Sequence, residues 1–337
     1  MVNGAAVKKQ RGAARAAGPP RTRSGTVAIV GRPNVGKSTF LNAALGVPLA
    51  IVSSTPQTTR ETLLGVVRHE LDDGEVAEIK LLDTPGLHKG ERAIDRFMNR
   101  EARSAVSGAD VVVFFTDLPR RSGPLAPHPG DVVLLKDIGA TQRTVLVVNK
   151  VDLVKEKGRL LPLLSALAEL RAFEAVVPIS ALKASGVDRV LREIGKLLPE
   201  APHTFGEDDL TDRPTRFFAR EYVREQVLHA TREEVPHATA VTIDAFDETP
   251  RGHRIAATVH VERPGHKKIL IGKGGEMLKR IGTAARKRIE ELTGSKVHLE
   301  LFVRVTPRWR DAPAKLAELF SDDVLTAGAP EIEESAT

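Results

Sequence analysis

The sequence predicts a doubly wound α/β domain, with a mostly parallel sheet covered by helices on both faces, followed by a smaller α+β domain. Three observations carry this. Strand-like and helix-like segments alternate over residues 26–198, the pattern of successive βα units. Several strand segments are unbroken apolar runs, such as Val111-Val112-Val113-Phe114-Phe115, which suit strands buried on both faces. A proline-rich, partly acidic segment over 199–214 reads as a linker and separates this alternation from a region of different order. The 337 residues suffice for two domains of ordinary size, and an apolar fraction of 41% is enough to fill their cores.

Residues 1–25 carry Lys8, Lys9, Arg11, Arg15, Arg21 and Arg23, no acid, and little that packs; they are expected to form a disordered basic tail. No apolar stretch among them would serve a secretory signal. Strands are expected at 26–30, 63–70, 76–82, 110–115, 144–148 and 175–179. Asp72-Asp73-Gly74 marks a hairpin between the second and third. Helices are expected at 37–45, 92–106, 130–138, 158–172 and 186–198. The second domain, 215–310, reads as a helix (215–232), strands (238–246 and 253–263), a helix, a glycine-rich turn, a helix (275–293) and a strand (296–305). A short helix and an acidic, frayed tail follow over 311–337.

Composition narrows the function. No apolar run reaches the roughly 18 residues of a membrane span. Cysteine is absent, which excludes disulfides and zinc–thiolate sites and suits a cytoplasmic location. The net charge of +6 is unevenly spread. Residues 251–310 hold 15 Lys and Arg against 5 Asp and Glu, whereas residues 311–337 hold 1 Lys against 7 acids. A basic block inside a balanced chain points to a polyanionic partner.

The chain is organised around Gly31-Arg32-Pro33-Asn34-Val35-Gly36-Lys37-Ser38, which follows an apolar strand and opens a helix. That is the context a phosphate-binding loop requires. Glycines let the backbone N–H groups turn towards phosphate oxygens, and the helix N-terminus adds positive charge at the same place. Lys37 would reach the β- and γ-phosphates, and the Ser38 hydroxyl, followed by Thr39, would sit at a magnesium ion. Asp83-Thr84-Pro85-Gly86 ends another strand. Asp83 can hold magnesium through water, and Gly86 N–H can meet a γ-phosphate. Asn149-Lys150-Val151-Asp152 ends a third strand. Asp152 can accept from guanine N1–H and N2–H, a donor pair adenine lacks, which discriminates by roughly 10⁴. Ser180-Ala181-Leu182 ends a fourth, where a backbone N–H can meet guanine O6.

These four motifs, in this order, resemble the successive nucleotide-binding boxes of translation-factor-class GTPases. The resemblance implies a fifth element in Gln57-Thr58-Thr59-Arg60, where Thr59, or else Thr58, ligates magnesium when the γ-phosphate is present. Leu87 stands where Ras-like enzymes carry a water-orienting glutamine, so intrinsic hydrolysis is expected to be slow. Asn34 is similar to an asparagine that holds potassium in some of these GTPases, which implies potassium activation. His88 is an alternative base or a solvated loop residue. The residues expected to act in hydrolysis are Lys37, Asn34, Thr59 and Gly86.

In the second domain, Gly272-Lys273-Gly274-Gly275 joins a short helix to a longer basic one. Two glycines permit close approach of a sugar–phosphate backbone to two helix ends. Lys273, Lys279, Arg280, Arg286 and Lys287, with Arg288 beyond, supply charge; Ile271, Leu278 and Ile281 read as core. The setting resembles a KH domain of type II, whose GxxG loop holds about four nucleotides of single-stranded RNA. Trp309 either stacks on a base or packs in the domain.

A GTPase domain followed by a KH domain is similar to the ribosome-assembly GTPases. The resemblance implies a monomeric cytoplasmic switch that binds the 3′ region of 16S rRNA during assembly of the 30S subunit, with GTP, GDP and Mg²⁺ as its ligands. GTP would order the segments around Thr59 and Asp83, and the linker would transmit the change. Two other readings remain open: a small-molecule phosphotransferase, and a GTPase held peripherally at the inner face of the membrane by its basic tail. The proline-rich segment from Asp117-Leu118 to residue 131 carries no reading.

Overall fold

A computed structural model describes residues 22–320 apart from 54, 56, 57, 87–89, 119–125, 155, 157 and 159. Most of the basic tail, Gln57, Leu87, His88, residues 119–125 of the 117–131 segment and the acidic tail from 321 therefore lie outside the described residues. The first domain is built from β1 (Thr22–Gly31), α1 (Lys37–Leu45), β2 (Leu63–Glu70), β3 (Val76–Asp83), α2 (Ala93–Ser107), β4 (Val111–Asp117), α3 (Pro129–Asp137), β5 (Thr144–Asn149), α4 (Leu160–Leu170), β6 (Ala175–Pro178) and α5 (Val187–Leu197). The six strands lie in the order β2-β3-β1-β4-β5-β6, and only the hairpin strand β2 is antiparallel to its neighbour. Because the other five run in one direction, Gly31, Asp83, Asp117, Asn149 and Pro178 all end at the same edge.

Side chains alternate across each strand, and this sets the two cores. Val27 and Ile29 of β1 point to α1 and α5, while Ala28 and Val30 point to the layer of α2, α3 and α4. The second domain comprises α6 (Thr215–Ala230), β7 (Thr239–Thr249), β8 (Gly252–Val261), α7 (Pro264–Ile271), α8 (Glu276–Thr293) and β9 (Val297–Val305), followed by α9 (Pro313–Phe320). Its sheet is ordered β7-β8-β9, with β8 antiparallel to β7 and parallel to β9. The cluster of buried apolar side chains beneath α1 and α5 continues into this domain through Phe217 and Val223 of α6 to Ile289 of α8. A smaller cluster joins Ile94 and Met98 of α2 to Trp309 and to Leu316 and Leu319 of α9.

One boundary changes: residues 22–25, expected in the disordered basic tail, belong to the first strand. β1 begins at Thr22, not at residue 26, and pairs with β3 from Val76 onward. Its first residues are polar because their partners are polar: Arg23 pairs with Glu75, and Ser24 donates to Glu78. The segment 199–214, read as a linker, packs on the first domain. Thr22 and Ala201 exchange hydrogen bonds, and Val66 N donates to Leu210 O, so the segment lies along the β2–β3 side of the sheet.

Glu78 fastens that segment. Its carboxylate is fully buried and accepts from Thr204 N, Thr204 Oγ1 and Ser24 Oγ at 2.8–2.9 Å and from Phe205 N at 3.1 Å. Burial acts to raise its pKa, but these donors overcome it and hold the group at about 2, below its ordinary 4.5. A depressed carboxylate pKa means stability that is present above the ordinary pKa and lost as pH falls towards the folded one. Glu78→Gln is therefore expected to destabilise the protein by about 2 kcal/mol at neutral pH. In urea unfolding, the gap between parent and variant should shrink as pH falls from 4.5 towards 2. A gap that stayed constant over that range would remove Glu78 from the account.

Candidate functional site

At the carboxyl edge of the large sheet, a cleft of about 310 Å³ is lined by the phosphate loop, the segment after α1, Gly86 and the loops after β5 and β6. The loop curls because its glycines allow it. Gly36 adopts φ 102°, and a Cβ there would lie 2.1 Å from Asn149 Nδ2. Asn34 is also left-handed, a conformation asparagine tolerates well, and it lines the cleft. Val35 turns its side chain into the core, and its carbonyl accepts from Asn149 Nδ2 at 2.8 Å. Asn149 Oδ1 accepts from Ala181 N at 2.9 Å, so one amide ties three loops together.

Lys37 is buried at the floor, and its Nζ donates to the carbonyls of Gly31 and Arg32 at 3.2 Å. Burial pushes its pKa down to about 8, with Arg32 adding to the fall and Asp83 opposing it. Ser38 Oγ donates to Asp83 Oδ2 at 2.6 Å; Thr59 Oγ1 lies 3.0 Å from Ser38 Oγ and 3.2 Å from Asp83 Oδ2. Thr58 instead turns its hydroxyl to Thr55 O, which leaves Thr59 as the threonine at this point. Asp83 is fully buried, burial raises its pKa, and its Oδ1 has no partner among the described residues. A buried carboxylate with a free oxygen, beside two hydroxyls, suits a hard divalent cation with oxygen ligands. Thr84 is buried and donates to Ile29 O, which holds the Asp83–Gly86 turn against β1. A Cβ on Gly86 would lie 2.9 Å from Pro33, so this turn abuts the phosphate loop.

At the other end, Lys150 donates to Asn34 O at 2.7 Å and pairs with Asp117 at 2.6 Å. Asp152, Leu153 and Leu182 line the cleft there; Leu153 and Leu182 are 70% and 81% exposed, apolar edges suited to a flat base. The Arg32 side chain points away from the cleft. It pairs with Asp117 and with buried Asp131, each at 2.7 Å, so only its backbone serves the loop.

In the second domain, Gly272, Gly274 and Gly275 all have positive φ, between 61° and 82°. Beyond them a groove of about 520 Å³ runs between α8 and β9, lined by Leu278, Lys279, Gly282, Arg286, Leu299 and Leu301 among others. Lys273, Lys279, Arg280, Arg286 and Lys287 are exposed. One open alternative is decided here and two expectations need correction. Trp309 is fully buried and donates to Ala238 O at 3.1 Å, so it does not face the groove. Ile271 and Leu278 are half-buried, and Leu278 lines the groove instead of filling the core. Arg288 lies 4.8 Å from the Tyr222 ring centroid, near Glu225, and donates to Pro48 O of the first domain.

The fold and the two sites together define a phosphate-loop GTPase joined to a KH domain. Residues 26–150 match the family described as 50S ribosome-binding GTPase, and residues 234–310 match the KH domain family. GTPase Era of Stenotrophomonas maltophilia (strain K279a) is 48% identical over 295 residues, 87% of this chain and 95% of its own length. GTPase Era of Xanthomonas axonopodis pv. citri (strain 306) is 48% identical over 297 residues, with the same coverage. A solved structure of Era with MgGDPNP and nucleotides 1506–1542 of 16S ribosomal RNA superimposes with a TM-score of 0.82 at 37% identity, covering 89% of this chain and 99% of that one. Aquifex aeolicus Era bound to GDP and AlF4⁻ matches equally well. The chain belongs to the GTPase Era family.

Sequence reasoning missed Asp117, which orders the phosphate loop through Arg32 and Lys150, and the arginines of α6. Arg216, Arg220 and Arg224 recur every fourth residue beside Phe217, a charged row along a helix that also buries apolar side chains. That row was the available signal. Because burial lowers the Lys37 amine to about 8 without phosphate, and phosphate charge raises its pKa, GTP affinity is expected to stay level from about pH 7, where the terminal phosphate is fully ionised, to about pH 8. It should then weaken by up to tenfold per unit above. Titration of a fluorescent GTP derivative across this range checks it, and an affinity that stays level well above pH 8 would refute it.

Proposed function

We propose that this GTPase is a nucleotide-controlled switch that grips single-stranded RNA of the 3′ region of 16S rRNA and acts in 30S subunit assembly in the cytoplasm. The observation that carries it is the likeness, over 89% of the chain, to an Era structure that holds both MgGDPNP and a 16S rRNA segment. In this reading the loop Gly31–Ser38, with Thr39, cradles the phosphates, and Lys37 meets the β- and γ-phosphates. Ser38, Thr59 and Asp83 hold Mg²⁺, which neutralises charge developing on the phosphates when bound. Gly86 N–H addresses the γ-phosphate. Asp152 reads guanine N1–H and N2–H, with Asn149, Lys150 and the Ser180–Leu182 loop shaping the base slot. Gly272-Lys273-Gly274-Gly275 holds the RNA backbone, with Lys279 and Arg286 in the groove and Arg280 and Lys287 exposed beside it on α8.

RNA grip and nucleotide grip are separable. Gly274 has φ 61° with nothing within 4 Å of a Cβ, a backbone that aspartate tolerates, so Gly274→Asp should fold. The added negative charge beside the RNA backbone is expected to weaken RNA binding at least about tenfold while GTP affinity stays within about twofold. Unchanged RNA affinity would overturn the assignment of the groove. Asn34 is proposed to hold a potassium ion that shares the charge developing in hydrolysis. Single-turnover hydrolysis should be faster in potassium than in sodium, and Asn34→Ala should abolish the difference; equal rates in the parent would sink this.

A further inference from the structure

The stretch from Thr58 to Glu61 serves both domains at once. Thr59 turns its hydroxyl to Ser38 and Asp83, at the magnesium site proposed above. Its neighbours are held by the RNA-binding domain. Thr58 O accepts from Arg224 Nη2 at 2.6 Å. Arg60 is buried and donates to Thr239 O at 2.5 Å and to Pro236 O and His237 O at 3.2 Å, with its guanidinium 5.5 Å from the Trp309 ring centroid. Glu61 pairs with Arg220.

Arg224 is the member closest to the chemistry. It is 3% exposed, and Glu221 fixes it through bonds of 3.0 Å to Nε and 2.5 Å to Nη2. Its Nη1 has no partner among the described residues. A cavity of about 20 Å³ lined by Thr58, Thr59, Asp83, Glu221 and Arg224 lies between this helix and the carboxylate. The Thr58 carbonyl and the Thr59 N–H belong to one planar peptide unit. Fixing that oxygen fixes the plane from which the Thr59 side chain springs.

We propose that Arg224, on the first helix of the RNA-binding domain, is a positioning residue for GTP hydrolysis: it holds the Thr58–Thr59 peptide so that the Thr59 hydroxyl stays beside Asp83. The proposal rests on the magnesium reading above. Thr59 is a ligand of the γ-phosphate state in that reading, so the contact supports GTP and its hydrolysis while leaving GDP untouched. By linkage, whatever displaces α6 alters magnesium and GTP binding.

The test uses the full-length protein. Ser38→Ala reports on the metal site alone, and Arg224→Gln on the clasp. Arg224→Gln is expected to raise the Mg²⁺ concentration for half-maximal single-turnover hydrolysis about tenfold, the factor expected for one charge-assisted hydrogen bond. GDP affinity should stay within about twofold, and Arg224→Lys, which keeps one donor for Thr58 O, should recover part of the loss. A folded Arg224→Gln protein with parental magnesium dependence overturns the proposal if Ser38→Ala still shifts it. If Ser38→Ala shifts nothing, the magnesium reading itself fails and takes the proposal with it. Should Arg224→Gln lower the melting temperature enough to unfold the protein, Glu221→Gln, which loosens Arg224 without removing it, decides: a raised magnesium requirement supports the clasp and a parental one overturns it.

Discussion

Asp83 sits at the tip of β3 with no exposure, one oxygen taken by Ser38 and Thr59 and the other without a partner among the described residues. A carboxylate in that position is costly unless a cation stands near it. Lys37 supplies part of that charge, and its own pKa falls because it too is buried. The rest of the site is arranged around this unsettled charge. β1 and β3 run parallel in register, so Ile29 stands beside Asp83 and the phosphate loop begins within two residues of it. The helix that starts at Lys37 brings Ser38 to the same point, and the chain at Thr58–Thr59 brings the Thr59 hydroxyl to it as well. Three segments distant in sequence meet only because the sheet is wound in this order.

That convergence also determines how the two domains touch. The segment that delivers Thr59 is flanked by Thr58, Arg60 and Glu61, each bonded to the second domain. Contacts to the phosphate-loop site and to the second domain therefore fall on four successive residues. The segment 199–214, by contrast, is fastened along the first domain by Glu78, Thr22 and Val66, which makes it a strap more than a lever. The proposed coupling through direct contact needs no motion of that strap, because the Thr58–Thr59 peptide touches Arg224 on one side and Asp83 on the other.

The groove of the second domain follows a different logic. Its cations are exposed, and two of them, Lys279 and Arg286, line a concave, partly apolar channel between α8 and β9 with Leu278, Leu299 and Leu301. The cations facing the first domain are the reverse. Arg60, Arg220 and Arg224 are buried and bonded to carbonyls or carboxylates, so they serve architecture and not a polyanion. Charge counting cannot separate the two sets; burial does.

The sequence by itself determined the strand–loop–helix around Lys37, the four loops at strand ends, the hairpin, the GxxG turn and the division into two domains. These features are local: glycine spacing, apolar runs and turn residues constrain the backbone within a few positions, whatever surrounds them. Only the tertiary structure decided that Arg32 turns to Asp117 and Asp131, that Trp309 is buried against Ala238, and that β1 reaches back to Thr22. The same holds for Arg60 and Arg224, which read as ordinary charged residues until the domains are brought together. Each of these side chains takes its role from a partner tens to hundreds of residues away. A long polar side chain accepts solvent or a buried partner equally well until packing removes the solvent, and packing is a property of the whole chain.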